Sequence, residues 1–136
     1  MDYIVDASVV IEYLITGTHT AQVRHFFDGL SAADLLTAPE FCLLECTNVI
    51  WKQVRFSGMP KTTANNLLSV VRALNLRRAP MKHLLSKALD IAITHQLAVY
   101  DSAYIALALH YGYPLVTLDQ PQQRAAKAEG LVLIQL

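Results

Sequence analysis

Four carboxylates carry the chemistry that this sequence offers. Asp6 closes the apolar run Tyr3-Ile4-Val5, Glu45 lies within an otherwise apolar helical turn, Asp101 follows Val99-Tyr100, and Asp119 follows Leu115-Val116-Thr117-Leu118. The three aspartates stand where apolar strands are expected to end, the edge at which open α/β sheets bind ligands. Each acid alone has a simpler use. An aspartate there caps the next helix by accepting from its free N–H groups, and a helical glutamate usually faces water. Ser102, beside Asp101, would cap equally well, so capping does not call for a charge at that point. Three such aspartates with a glutamate in reach share no single structural explanation. Clustered carboxylates repel, and at neutral pH they take up protons or recruit a cation. Oxygen ligands of this kind select Mg²⁺ or Mn²⁺.

The elements that must position these acids follow from periodicity and breakers. Residues 2–8 read as a short buried strand with Asp6 at its carboxyl end. A helix through Val9, Val10, Tyr13 and Leu14 breaks at Gly17 and restarts over 19–30, with Val23, Phe26, Phe27 and Leu30 on one face. Residues 35–38 form a second strand, which Pro39 ends. The helix over 41–56 carries Glu45, Asn48 and Lys52 along one polar stripe. After the loop Gly58-Met59-Pro60 come a helix over 61–75 and a brief edge strand over 76–79. An amphipathic helix over 84–95 is expected to pack through Leu85, Leu89, Ala92 and Ile93. A strand ending at Val99 or Tyr100 then leads into an alanine-rich helix, where Ala103, Ala106 and Ala108 permit close packing on a sheet. A strand over 115–118, a helix over 121–129 ended by Gly130, and an apolar strand over 131–136 complete the chain. Short strands alternating with helices predict an α/β fold with a mainly parallel sheet, in a single domain over residues 1–136.

Other chemistries lack their residues. The five glycines are scattered, so no Walker loop or dinucleotide fingerprint exists, and there is no nucleophile elbow. Ser8 occupies the position where an aspartyl-nucleophile phosphatase needs a second aspartate. The histidines at 19, 25, 83, 95 and 110 show no metal-ligand spacing. Cys42 and Cys46, one helical turn apart, are expected to be small buried hydrophobes. No apolar run spans a membrane and no basic leader opens the chain, so a cytoplasmic location and no membrane partner are expected. Apolar residues make up 54% of the chain, more than a monomer needs, and some are expected to cover a subunit or partner interface.

Net charge is zero but unevenly spread. Residues 46–89 hold Lys52, Arg55, Lys61, Arg72, Arg77, Arg78, Lys82 and Lys87 and no acid. A polyanionic partner and a set of solvated helix faces account for this block equally well. Lys52, Arg55, Arg72, Arg77, Arg78 and Lys82 are the candidate contacts to such a polyanion.

The order Val5-Asp6-Ala7-Ser8, then Glu45 with Asn48, then Tyr100-Asp101-Ser102-Ala103-Tyr104-Ile105-Ala106, then Thr117-Leu118-Asp119, resembles the PIN-domain family. It is most similar to the small VapC-type toxin ribonucleases of bacteria and archaea, and the likeness runs from residue 3 to the last strand. One departure is Gln120-Pro121-Gln122-Gln123 after Asp119, where relatives often continue with a charged helix start. The resemblance implies an α/β/α sandwich around a roughly five-stranded parallel sheet, with Asp6, Glu45, Asp101 and Asp119 as its acids and Ser8, Asn48 and Thr117 as supporting polar residues.

It further implies an endoribonuclease that uses Mg²⁺ or Mn²⁺, held by Asp6 and Asp101 with Glu45 and Asp119 bonding directly or through water. The implied partners are RNA, a second copy of the chain and an antitoxin protein. The antitoxin would place Arg or Lys among the carboxylates and cover Trp51, Phe56 or the Tyr13 helix face. The competing assignment is a catalytically silent interaction module or a receiver-like signalling domain. A receiver needs paired acids at its first strand and a lysine after a late one, and neither is present.

Overall fold

The computed structural model describes residues 1–136. Its elements run β1 (Asp2–Val5), α1 (Ala7–Leu14), α2 (Thr20–Asp28), β2 (Leu35–Pro39), α3 (Cys42–Ser57), α4 (Lys61–Ala73), β3 (Leu76–Ala79), α5 (Leu85–His95), α6 (Val99–Tyr111), β4 (Leu115–Val116) and α7 (Gln120–Ala128). The four strands form one parallel sheet in the order β3-β2-β1-β4. Helices flank this sheet, the α/β architecture expected from the alternation of short strands and helices. Because the strands are parallel, their carboxyl ends share one edge, and the chain changes direction across the β1–β4 pair there.

Three expectations are corrected. The residues 131–136 make no strand: Leu133 forms a single bridge to Leu115, and only the Leu115 N–H to Val132 and the Ile134 N–H to Leu115 bond across it. Strand β4 is two residues long, so it offers the tail little backbone to pair with, and the sheet has four strands.

No strand precedes Asp101 either. Val99 and Tyr100 are already helical, Ala98 is the extended residue before α6, and Asp101 lies within the first turn. Helix α5 ends at Gln96 in the left-handed region (φ 56°), and the Leu97 N–H bonds back to Ala92, so α5 and α6 join through a tight three-residue turn over 96–98. The inward side of α5 matches the expected one only at Ala92. Ala88, Ile91 and Ala92 are buried, while Leu85, Leu89 and Ile93 face solvent.

The core lies between the sheet and α6. Every residue from Ser102 to Ala108 is buried, and Tyr104, Ile105 and Leu107 pack with Ile4, Val5, Leu115 and Val116. The alanines at 103, 106 and 108 let this helix sit close to the strands, which holds its first turn, and hence Asp101, against the sheet edge. Cys42 and Cys46 are buried free thiols in the same core.

Candidate active site

Asp6 sits one residue beyond β1 and is the N-cap of α1; its Oδ2 accepts from the Ser8 N–H at 3.2 Å. Asp119 is likewise the N-cap of α7, its Oδ2 accepting from the Gln122 N–H at 2.9 Å. Capping is therefore real for two of the aspartates. It is not the role of Asp101, whose carboxylate has no hydrogen bond within the protein and whose helix has no side-chain cap.

A hydrogen-bonded knot ties the two caps together. Thr117 Oγ1 lies 3.1 Å from Asp6 Oδ2, 2.5 Å from Gln122 Oε1 and 3.4 Å from Ser8 Oγ, and it accepts from the Asp119 N–H at 3.0 Å. The Leu118 N–H donates to Ser8 Oγ at 3.1 Å. Gln122 completes the knot. Its Nε2 donates to the main-chain oxygen of Asp101 at 2.9 Å and lies 3.4 Å from Asp6 Oδ1, so one fully buried amide joins α7 to α6 and β1.

Glu45, half-buried on α3, reaches this edge from the other side. Its Oε1 accepts from the Tyr104 phenol at 2.7 Å, leaving Oε2 without a partner in the protein. Burial pushes the Tyr104 phenol up, so it stays a donor.

The electrostatics show that the acids share one field. Burial raises the Asp6 carboxyl above the usual aspartate range, against hydrogen bonds from Ser8, Gln122 and Thr117. Burial also raises Asp101, and the charges of Asp119 and Asp6 add to it. Glu45 is raised by burial, opposed by the Tyr104 bond and reinforced by Asp6 and Asp101. These groups destabilise one another's charged forms, the condition a divalent cation relieves. No three of them converge into a ready-made chelate. The donors are all carboxylate oxygens, which fits Mg²⁺, an ion held by one or two carboxylates that keeps several waters.

Residues 3–128 match the PIN domain. The chain belongs to the PIN-domain family. Ribonuclease VapC3 of Pyrobaculum aerophilum is 30% identical to it, over 97% of this chain and 98% of the relative. Two solved structures share the fold. The Mycobacterium tuberculosis toxin VapC20, described as cleaving the sarcin-ricin loop, superposes with a TM-score of 0.73 at 14% identity, covering 98% of this chain and 99% of that one. VapBC2 of Rickettsia felis, solved bound to a DNA fragment from its promoter, gives 0.71 at 14% identity, with 98% of each chain covered.

Within the PIN fold the other residues singled out by sequence are placed unequally. Ser8 and Thr117 belong to the knot; Asn48 is exposed one turn beyond Glu45 and makes no hydrogen bond. The basic residues do not form one stripe. Lys52 and Arg55 are on α3, Arg72 on α4, Arg77 and Arg78 on β3, and Lys82 in a 3-10 turn before α5. All are exposed and none is paired with a carboxylate. Arg77 lies on the outer strand β3, level with Thr37 of β2 and Ile4 of β1. Two members of the site, Tyr104 and Gln122, escaped the sequence-based selection of site residues. For Gln122 the signal was present in the departure Gln120-Pro121-Gln122-Gln123, where an uncharged amide stands three residues after the cap.

Proposed function

We propose that this chain is a single-domain endoribonuclease that hydrolyses RNA phosphodiester bonds with Mg²⁺ or Mn²⁺, and that it is the toxin of a toxin–antitoxin pair. The observation that carries this is the environment of Asp6: a buried carboxylate with Oδ2 fixed by Ser8 and Thr117, within the field of Asp101 and Glu45. The name of the VapC3 relative supports RNA as the substrate.

Asp6 and Asp101 would hold the cation, with Glu45 and Asp119 reaching it directly or through water. A bound divalent ion supplies an acidified water and offsets charge on the phosphorus and the leaving oxygen. The protein's own groups orient and move protons. Thr117 and Ser8 fix the Asp6 carboxylate, and Gln122 ties Asp101 to the same frame. Tyr104 holds Glu45 Oε1, so Oε2 is the oxygen available to take a proton from the attacking water. With no side-chain nucleophile in the scheme, products carry 5′-phosphate and 3′-hydroxyl ends.

The likeness to VapBC2 supports an antitoxin partner; such a partner would cover the cleft and place a cationic side chain among the acids. Arginine suits this, because its planar fork binds two carboxylate oxygens at once. Leu85, Leu89 and Ile93, an exposed apolar stripe along α5, support a homodimer. No helix is long and apolar enough to cross a membrane.

The test is RNA cleavage by the purified chain with Mg²⁺, alone and as Asp6→Asn, with the new 5′ ends sequenced. Cleavage is expected from the wild type only, and growth arrest in cells should require Asp6 and be relieved by co-expression of an antitoxin encoded in an adjacent gene. Cleavage by Asp6→Asn at the wild-type rate would refute the site. Folded wild-type protein that cuts no RNA would return the silent interaction module.

A further inference from the structure

Beside the carboxylates, α3 and the start of α6 border an open groove of about 590 Å³. Leu44, Asn48 and Trp51 line it from one stripe of α3, Tyr100 lines it from α6, and Phe41 meets the Tyr100 ring edge to face at 5.3 Å. Glu45 lines the same groove, which therefore opens directly onto the acids. Leu44 is 72% exposed, Trp51 53% and Tyr100 64%, so packing of this chain leaves three large apolar side chains in water next to the site.

We propose that this groove is a subsite for one nucleobase of a single-stranded RNA substrate, the base of a nucleotide flanking the scissile phosphate. The proposal deepens the RNA-cleavage assignment and rests on it. Exposed aromatic rings are the surfaces on which single-stranded bases stack, and each base offers a π-face irrespective of sequence. Asn48 adds a hydrogen-bonding edge. Its side-chain amide is exposed, carries both donors and an acceptor, and has no partner in the protein, so it is free to meet the polar edge of a base. The cations follow in register. Lys52 and Arg55 lie one and two turns beyond Asn48 on the same helix, exposed and without a carboxylate partner, where a phosphate backbone leaving the groove would find them. An apolar peptide side chain could fill the groove but would use neither the amide nor the cations. Because Glu45 belongs to both groove and acid cluster, the stacked base is adjacent to the cut rather than remote from it.

Trp51 is the only tryptophan of the chain, so tryptophan emission, excited selectively over tyrosine, reports on this groove. Short single-stranded RNA titrated into Asp6→Asn with Mg²⁺ should quench it. Oligomers with one abasic nucleotide, walked across the cut, should lose both quenching and cleavage by the wild type at a single position. The expected loss there is about 10- to 100-fold in kcat/KM, the factor one stacked base contributes. Trp51→Ala should show the same loss on intact RNA and no further loss on that abasic oligomer, whereas Trp51→Phe should retain most activity. Uniform cleavage and quenching at every abasic position would overturn the base subsite while leaving the nuclease intact. Quenching by a partner protein but by no RNA would assign the groove to that protein and likewise overturn it. If the wild type cuts no RNA, the enzyme assignment fails by itself, and position-specific quenching still decides the groove.

Discussion

The Thr117 hydroxyl lies 3.1 Å from Asp6 Oδ2, a contact that spans 111 positions of sequence. The same oxygen is 2.5 Å from Gln122 Oε1 and already accepts from the Asp119 N–H. It has one proton for two acceptors. When Asp6 is protonated, Asp6 donates to Thr117 and Thr117 to Gln122, and the competition for the Thr117 proton is removed. When Asp6 is ionised, Thr117 can serve only one of them. The knot therefore couples the charge on Asp6 to the placement of Gln122, and through its 2.9 Å bond to Asp101.

Thr117→Val keeps the side-chain shape and removes the hydroxyl, leaving the Asp119 N–H and the Gln122 carbonyl short of a partner. The expected cost is about 1–3 kcal/mol of stability, read as a lower urea midpoint at unchanged slope. Thr117→Ser should recover most of the loss and most of the cleavage. A Thr117→Val protein as stable as the wild type would show that the knot is not a source of stability.

Gln122→Leu retains bulk but breaks the link from α7 to Asp101. Metal affinity is expected to fall by more than the melting temperature would suggest, because Asp101 loses its tie while its carboxylate stays intact. Isothermal titration with Mn²⁺ measures this. Unchanged affinity would reduce Gln122 to a packing role.

The parts of the fold that were legible in the sequence are those where pattern and burial agree. Of residues 2–8, read as a strand, 2–5 form one, residues 76–79 read as an edge strand and are one, and Val23 faces inward from the helix that predicted it. The errors arise where apolarity does not report burial. Helix α6 is buried on nearly all sides, so it lacks an amphipathic period, and its exposed first residues Val99 and Tyr100 imitate a strand end. On α5 the large leucines face out while alanines face in, inverting the usual cue. Likewise Asp6 and Asp119 reveal their capping role through local spacing, but the knot around Thr117 joins residues more than a hundred positions apart, a separation that no local pattern encodes.

The raised Asp6, Asp101 and Glu45 carboxyls set a pH dependence for the metal-free protein. A group whose folded pKa lies above its unfolded one contributes stability that is full below the unfolded value and lost as pH rises through the folded value. In EDTA the melting temperature is thus expected to fall as pH rises from the ordinary carboxylate range toward neutrality. Asp6→Asn keeps a competent N-cap without the buried charge, so it should melt several degrees higher at neutral pH and show a flatter profile. A wild-type melting temperature that rises over the same interval would contradict this assignment.

Mg²⁺ or Mn²⁺ should reverse that penalty. Saturation to 100 times Kd stabilises a protein by about 2.7 kcal/mol, and this gain is expected in the wild type but greatly reduced in Asp101→Asn. EDTA should abolish cleavage of RNA. Undiminished cutting in EDTA would exclude a metal-dependent mechanism.

The dispersed basic residues make a graded prediction about RNA affinity. On single-stranded RNA the logarithm of affinity falls with the logarithm of salt by ~0.7 for each phosphate neutralised. Lys52 and Arg55 share α3 with Glu45, so Lys52→Ala with Arg55→Ala is expected to lower the slope by about one to one and a half. Arg77 lies on the outer strand β3, level with Ile4 and two strands away from β1, whose end carries Asp6, so Arg77→Ala should change it far less. Binding curves for the three proteins between low and physiological salt provide the comparison. If the Lys52/Arg55 pair leaves the slope unchanged while Arg77→Ala lowers it, the RNA path runs across β3, and the two α3 cations are solvated bystanders.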